Sequence, residues 1–419
     1  MAMSQASFAA PAPGGEAMTS AAPSAAQPAA PSRSGLGRPA ALALATASAL
    51  TVANIYFPQP LLDAVASGLD VSGSAASLIA TAAQVGYALG IALVVPLADV
   101  ARLRRLTTAL LLLTTGGLLV AAAAPNLATL AVATLALSTT TVLPQILVPT
   151  AASLAGPGHS GRAVGVIGIG ITLGSTLSRT LSGAVAGLSG DWRSAYLVAA
   201  ALTGGLVFVL PRLLPAHGNG RSVPYRQLIG SLPRLVRTHP GLRFSAFLGA
   251  TVFAAFSAFW ATLAFHLAGP PFDRGVAWAG LFGLFGLPAA LLSYTAGRLS
   301  DRRGPRYVNT VALLCVGAAF LVMGVGGESL TALVIGTNLL VYGTSSSQVA
   351  NQVRVFRLGE QVRARLNTLF MLASFTGGAV GSLTGAALYA RWGWTGMVLG
   401  CGGFLLPAAV ALARGRHLG

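Results

Sequence analysis

Between residues 40 and 413 the chain is a train of apolar runs separated by short polar stretches. Each run is near the roughly 20 residues that a helix needs to cross a bilayer. A soluble domain carries about 25% charged residues; this chain of 419 residues carries 8%, and 54% of it is hydrophobic. A water-soluble fold could not cover its surface with that set. In hydrocarbon a helix satisfies its own backbone, so the fold class expected is an all-α polytopic membrane protein. The runs predict spans over 40–62, 77–98, 106–124, 127–153, 163–188 and 194–214, then 243–268, 275–296, 307–326, 330–352, 366–389 and 395–413. That makes twelve transmembrane helices, six on each side of a longer polar stretch.

The charge pattern sets orientation. All 26 basic residues are arginine and the net charge is +17. With the N-terminus inside, 22 arginines fall on the inner side, Arg354 and Arg357 among them, and three (Arg193, Arg274, Arg391) fall outside. The asymmetry fits the positive-inside rule, so the charge is topological and no nucleic-acid partner is expected. A multi-pass protein of the plasma (inner) membrane with both termini cytoplasmic is expected. Residues 1–38, rich in Ala, Pro, Ser and Gly, read as a disordered cytoplasmic tail. Residues 39–214 form an N-terminal six-helix bundle, 215–242 a cytoplasmic linker, 243–414 a C-terminal six-helix bundle and 415–419 a second short tail. Within the linker, Pro224–Arg237 mixes arginines with apolar residues, which suits either an amphipathic helix at the inner interface or a solvated connection. Cys315 and Cys401 both lie inside apolar runs, so neither a disulfide nor a metal site is expected. No phosphate-cradling Gly-x-x-x-x-Gly-Lys-Ser/Thr loop is present, so ATP is not the direct energy source, and no cofactor is expected. A monomer is expected.

The halves echo each other. Asp99 and Asp301 stand 202 residues apart, Trp192 and Trp394 also 202, and Gln145 and Gln348 203. Three landmark pairs at nearly one offset argue for duplication. The aspartates lie in related stretches, Leu97–Arg105 and Gly297–Arg306, each between two apolar runs and rich in arginine.

Those stretches resemble the major facilitator superfamily, whose signature is roughly Gly-x-Leu-Ala-Asp-Arg-x-Gly-Arg-Arg. Gly297, Leu299, Asp301, Arg302, Gly304 and Arg306 match it. The first copy keeps Leu97, Ala98, Asp99, Arg104 and Arg105 but departs at Val95 and Arg102. Ala53–Leu62, Gly161–Gly165, Arg179–Gly183 and Ala350–Val355 look like the twelve-span bacterial efflux branch, which exports drugs, sugars and nucleosides. The resemblance covers residues 40–413. It implies two pseudo-symmetric six-helix bundles and transport of a small-molecule substrate, with protons as the coupling partner.

Candidate residues fall into four groups. Asp99, Arg104, Arg105, Gly297, Asp301, Arg302, Gly304 and Arg306 are candidates for a conformational latch, since carboxylates at helix ends can bond arginine or a helix N-terminus. The arginines serve equally well to hold the loops inside, whereas the positive-inside rule does not need the aspartates. Gly170, Gly174, Gly183 and Gly187, with Gly377, Gly381 and Gly385, have the spacing that lets helices approach closely; the resemblance makes the first set a hinge. Asn54, Tyr56, Gln59, Gln84, Tyr87, Gln145, Arg179, Trp260, Tyr342, Gln348 and Asn351 are candidates for the wall of a substrate cavity, though uncharged polar groups also cross-link helices. Phe253, Phe256 and Phe259 join Trp260 as either an aromatic wall or a lipid face. Arg179 is singled out because an arginine at mid-helix costs at least about 2.5 kcal/mol. A wet cavity, a partner or snorkelling to the outer interface would offset that cost. The resemblance places Asn54 where drug/proton antiporters often carry an acid. None of the nine acidic residues lies centrally in a span, and Asp63 comes closest, which makes it the possible coupling residue.

The leading functional expectation is a secondary active transporter performing proton-coupled efflux of a small organic solute by alternating access. A proton-independent facilitator or an importer would use the same spans, as would a non-transporting receptor or assembly protein on this fold. An enzyme is not expected, because no paired acids, histidine-metal cluster or Ser/His pair stands at bilayer depth.

The topology is testable by labelling. Cysteines introduced as Arg221→Cys and Glu328→Cys should react with an impermeant thiol reagent from opposite sides of the membrane. Reaction of both from one side would overturn the orientation.

Overall fold

The computed structural model describes residues 37–155, 159–214, 225–359 and 362–415. The expected tails lie almost wholly outside the described residues, as does 215–224 of the expected linker. Every regular element among the described residues is helical. In chain order they are α1 (Arg38–Gly68), α2 (Gly73–Val100), α3 (Leu103–Ala122), α4 (Leu127–Ala155), α5 (Gly161–Ser189) and α6 (Trp192–Leu213). Then follow α7 (Tyr225–Thr238), α8 (Pro240–Ala268), α9 (Val276–Leu292), α10 (Thr295–Val325), α11 (Leu330–Arg357) and α12 (Arg363–Arg414). Nine of these are long and apolar enough to cross a bilayer. The 52-residue α12 departs from helical geometry at Trp392 and Gly393, which makes two arms of it. At 1.5 Å per residue its length is about 78 Å, enough for two passes. With the shorter apolar α9 and the 28-residue α11, the set is consistent with twelve passes. The amphipathic α7 stands apart, with arginines at Arg226, Arg234 and Arg237 and a buried Leu235.

Two expected boundaries differ. The stretch Gly297–Arg306, expected as a loop, is helical: α10 begins at Thr295 and bends only at Gly304, where φ is +83°. Glycine takes that left-handed value without a Cβ clash, and Pro305 then restarts the helix where its missing N–H is not needed. Span 10, expected to end at 352, runs to Arg357 and carries Arg354 into the protein, where it is 5% exposed.

Small residues set the helix spacing. A Cβ built on Gly170 or Gly174 would run into the backbone of Ala45 or Ala49 on α1. Gly377 and Gly381 of α12 stand in the same relation to Ala250 and Ala254 of α8, and Gly385 lies against Ala258. The fifth span thus packs on the first as the eleventh packs on the seventh, the pseudo-symmetry of the two bundles. Gly183 and Gly187 face Gly280 and Ala277 of α9, so the other half of α5 forms a seam between bundles. Thr180 donates to the Gly280 carbonyl across that seam at 3.0 Å. A second seam joins α2 to α12, where the hydroxyls of Thr81 and Ser382 are 2.8 Å apart.

Where two helix backbones meet this closely an added side chain has no room. Gly381→Leu should destabilise the protein by about 1–3 kcal/mol or more through overpacking, seen as a lower thermal midpoint in detergent. Gly116→Ala, where an added Cβ meets nothing within 4 Å, should leave the midpoint unchanged. Equal midpoints for both variants would refute the close packing of α12 on α8.

Candidate functional site

The site begins with a break in α1. Pro58 and Pro60 cannot supply the N–H groups that a continuous helix would send to Asn54 and Tyr56. The chain tightens into a 3₁₀ turn over Gln59–Leu61 and resumes as a helix at Leu62. Gln59 is held at that break, 2% exposed.

Arg179 of α5 comes to meet it. Its Nε donates to Gln59 Oε1 at 2.7 Å, and its Nη1 donates to the carbonyl of Ser175 one turn back. The guanidinium carbon lies 4.0 Å from the centroid of the Trp260 ring, 4.6 Å from that of Tyr56 and 5.8 Å from that of Phe256. Arg179 therefore ties α1 and α5 of one bundle to α8 of the other. It is 3% exposed, and its Nη2 has no hydrogen-bond partner among the described residues. The ion pairs among the described residues are Arg193–Asp191 and Arg357–Asp301, so no described carboxylate pairs with Arg179.

Magnitudes show what is unfinished. A desolvated cation over an aromatic face gains about 2 kcal/mol, and hydrogen bonds to charged groups contribute about 1.5–3 kcal/mol each. The rings, Gln59 and Ser175 thus offset much of the cost of burying the cation. What they do not supply is a counter-charge, and Nη2 carries the remaining penalty of an unmade bond, about 1–3 kcal/mol. The arrangement is a positively charged box with aromatic sides and two donor atoms, Arg179 Nη2 and Trp260 Nε1, without partners among the described residues.

An aromatic chain extends the box. Trp260 lies against Phe256, which stacks on Phe253 at 5.4 Å. Phe253 meets Phe375 of α12 edge-on at 5.1 Å, and Phe375 meets Tyr87 of α2 at 4.5 Å. Tyr87 accepts from Gln145 Nε2 at 3.3 Å. Tyr56, Gln59, Tyr87, Gln145, Arg179 and Trp260 of the expected wall are therefore linked in one structure, with Phe253 and Phe256 as its spine. Gln84 is buried with its Oε1 unpartnered. Gln348 is half-buried and directs Nε2 to Met371 Sδ at 3.4 Å. Tyr342 packs with Phe256 around Val341.

Two expected wall residues lie elsewhere. Asn54 donates to Thr203 Oγ1 at 3.2 Å and Thr141 Oγ1 at 3.4 Å, cross-linking α1, α4 and α6 inside the first bundle. Asn351 exchanges hydrogen bonds with Asn309 of α10 at 3.0 and 3.3 Å and accepts from Arg354 Nη1 at 3.1 Å. Ser347 donates to Asn309 Oδ1 at 2.8 Å. This second polar cluster was not anticipated from the sequence. Its one local sign was Asn351 and Arg354 at a spacing of three, which puts them on one helix face.

At the arginine-rich end, Asp301 lies 3.5 Å from Arg357, both largely exposed. Arg302 is exposed, Arg306 is half-buried, and Gly297 and Gly304 sit in α10 on either side of Asp301. Asp99 caps nothing and has no ion-pair partner among the described residues, while Arg104 donates from Nε to the Pro211 carbonyl at 2.6 Å. Arg105 is exposed. Asp63 sits half-buried in the last stretch of α1, one turn beyond Gln59.

Known proteins share this architecture. The sequence profile of the Major Facilitator Superfamily matches residues 42–358. An uncharacterized transporter, YgaY of Escherichia coli O157:H7, is 38% identical over 374 residues, spanning 89% of this chain and 95% of that protein. The probable transporter SCO4007 of Streptomyces coelicolor is 34% identical over 371 residues, 88% of this chain and 86% of its own. Among solved structures, the nucleoside transporter NupG superposes with a TM-score of 0.68 at 17% identity, covering 89% of this chain and 98% of its own. The human organic anion transporter MFSD10 (TETRAN) does so with a TM-score of 0.66 at 18% identity, covering 90% and 99%. At such identities the structural likenesses speak for the fold alone.

Proposed function

The chain belongs to the Major Facilitator Superfamily, and from that premise we propose that it exports a small organic solute bearing a negative group, driven by protons. That it is a multi-pass membrane transporter and not an enzyme follows from the family and from its transporter relatives. The observation that carries the rest is Arg179: a buried cation at the meeting of three helices from two bundles, with no carboxylate partner among the described residues and its Nη2 amino group unused. A carboxylate or similar group of the solute completes its bonding, and the faces of Tyr56 and Trp260 take the apolar body.

In this reading the arginine-rich end is cytoplasmic, the membrane is the plasma (inner) membrane, and the bundles are residues 39–214 and 243–414 joined by 215–242. The bundles rock about the Arg179 box to expose it to one side and then the other. The glycine contacts of α5 with α1 and α9 serve as the hinge and sliding seam. Asp301 with Arg357 latches one state, and Asp99 with its neighbouring arginines is its counterpart in the first half. Arginine keeps its proton in proteins, so Arg179 is not the proton carrier. Asp63 is the acid placed for that task, about 6 Å along the helix axis from Gln59 at 1.5 Å per residue.

Purified protein in proteoliposomes, screened with organic acids under an imposed proton gradient, tests the proposal. Arg179→Lys keeps the charge but loses the fork geometry, so transport should fall; Arg179→Gln should reduce it further, by about tenfold or more for the loss of one charge-assisted contact. Wild-type rates in both variants across the screen would refute the site.

Coupling has a separate signature. Asp63→Asn should abolish uphill accumulation driven by the proton gradient while solute exchange at equal concentrations persists. Full proton-driven accumulation in that variant would remove Asp63 from the mechanism.

A further inference from the structure

The surface of the second bundle holds a groove whose lining includes none of the residues around Arg179. It lies between α8 and the first arm of α12, with Phe404 of the second arm on one side and Val236 of α7 at its mouth, and encloses about 530 Å³. Its floor is made of small residues: Ala246, Ala250 and Ala254 follow one another at turn spacing on α8, so the trough is deep where a typical helix would fill it. Phe247, exposed on the same helix, forms a wall. The central aromatic chain, Phe253, Phe256 and Trp260, lines no part of this groove.

One end of the groove is cationic. Arg243 is the one charged residue in its lining and is exposed. Arg234 and Arg237 stand exposed on α7 beside Val236. None of the three has an ion-pair partner among the described residues. α7 is not loose at this point: Leu235 is buried in the core shared with α8 and α12, and Arg365 donates to Ser231 Oγ at 3.0 Å. From Arg243 to Ala254 the floor rises eleven residues, about 16 Å at 1.5 Å each, which matches one leaflet of a hydrocarbon core about 30 Å thick.

We propose that this groove is a binding site for a single anionic phospholipid of the leaflet at the arginine-rich face. One acyl chain fills the alanine-floored trough, and the phosphate meets Arg243, the one charged residue of the lining. The charge complementarity sets the headgroup, and the leaflet-length apolar trough sets the chain. The proposal stands whether or not the solute at Arg179 is an anion.

Native mass spectrometry of the full-length protein in detergent decides it, using phosphatidylglycerol and phosphatidylcholine with identical acyl chains. The wild-type protein should retain one phosphatidylglycerol at higher collision energy than phosphatidylcholine, with an affinity preference of about fivefold for each arginine engaged. Arg243→Gln should cut that preference about fivefold while the neutral lipid is still retained. Thr376→Trp, or separately Thr251→Leu, fills the groove from its membrane side and should abolish retention of both lipids. Equal retention of the two lipids by the wild-type protein would overturn the proposal. So would undiminished retention in both groove-filling variants, or a dimer found in place of the bound lipid.

Discussion

Hydrocarbon offers no hydrogen-bonding partner, so each polar group of this chain must be answered from within the protein. Helices answer the backbone. Glycine and alanine seams then bring helices close enough for dispersion and side-chain bonds to replace the hydrophobic drive that a bilayer lacks. The same demand explains the buried polar side chains. Asn54 is matched by Thr141 and Thr203, and Asn351 by Asn309, Ser347 and Arg354. These clusters lock helices within a bundle.

At Arg179 the answer stays incomplete for a buried charge shared by both bundles. Its bonds reach into both bundles, to Gln59 on one side and the ring of Trp260 on the other, and its Nη2 is left over. Arg354 makes a useful contrast. It too is buried and keeps Nε and Nη2 unpartnered, but it lies on Phe244 and bonds Ser245 and Asn351, all in one bundle and near the arginine-rich end. A cation inside one bundle stiffens that bundle. A cation shared between two bundles is in a place where, under the proposed function, a bound anion would change how firmly they hold together, the coupling that alternating access requires.

Much of this was legible in the sequence because it is local. The spans follow from length and composition, the duplication from the Asp99–Asp301 and Trp192–Trp394 offsets, and the burial of Arg179 from its depth in span 5. The glycine spacing announced close packing, and the structure supplies the partners Ala45, Ala49, Ala250 and Ala254. What could not be read depends on distant pairing. Asn54 is as polar as Gln59 and lies only five residues away, yet the proline break turns one toward Arg179 and leaves the other facing Thr203. Arg354 looked like a loop arginine until α10 brought Asn309 beside Asn351. The helical form of Gly297–Arg303 was hidden by its charge, which suits a loop but also suits a helix at an interface.

The central claim is that the free donor of Arg179 takes the negative group of the solute. A thermodynamic cycle tests it most directly: the binding of an organic acid and of its uncharged amide, each measured by calorimetry on wild-type protein and on Arg179→Gln. If the contact is made, the acid loses more affinity than the amide, with a coupling of about 1.5–3 kcal/mol. Equal losses for the two ligands would mean that Arg179 holds the helices together and does not hold the solute.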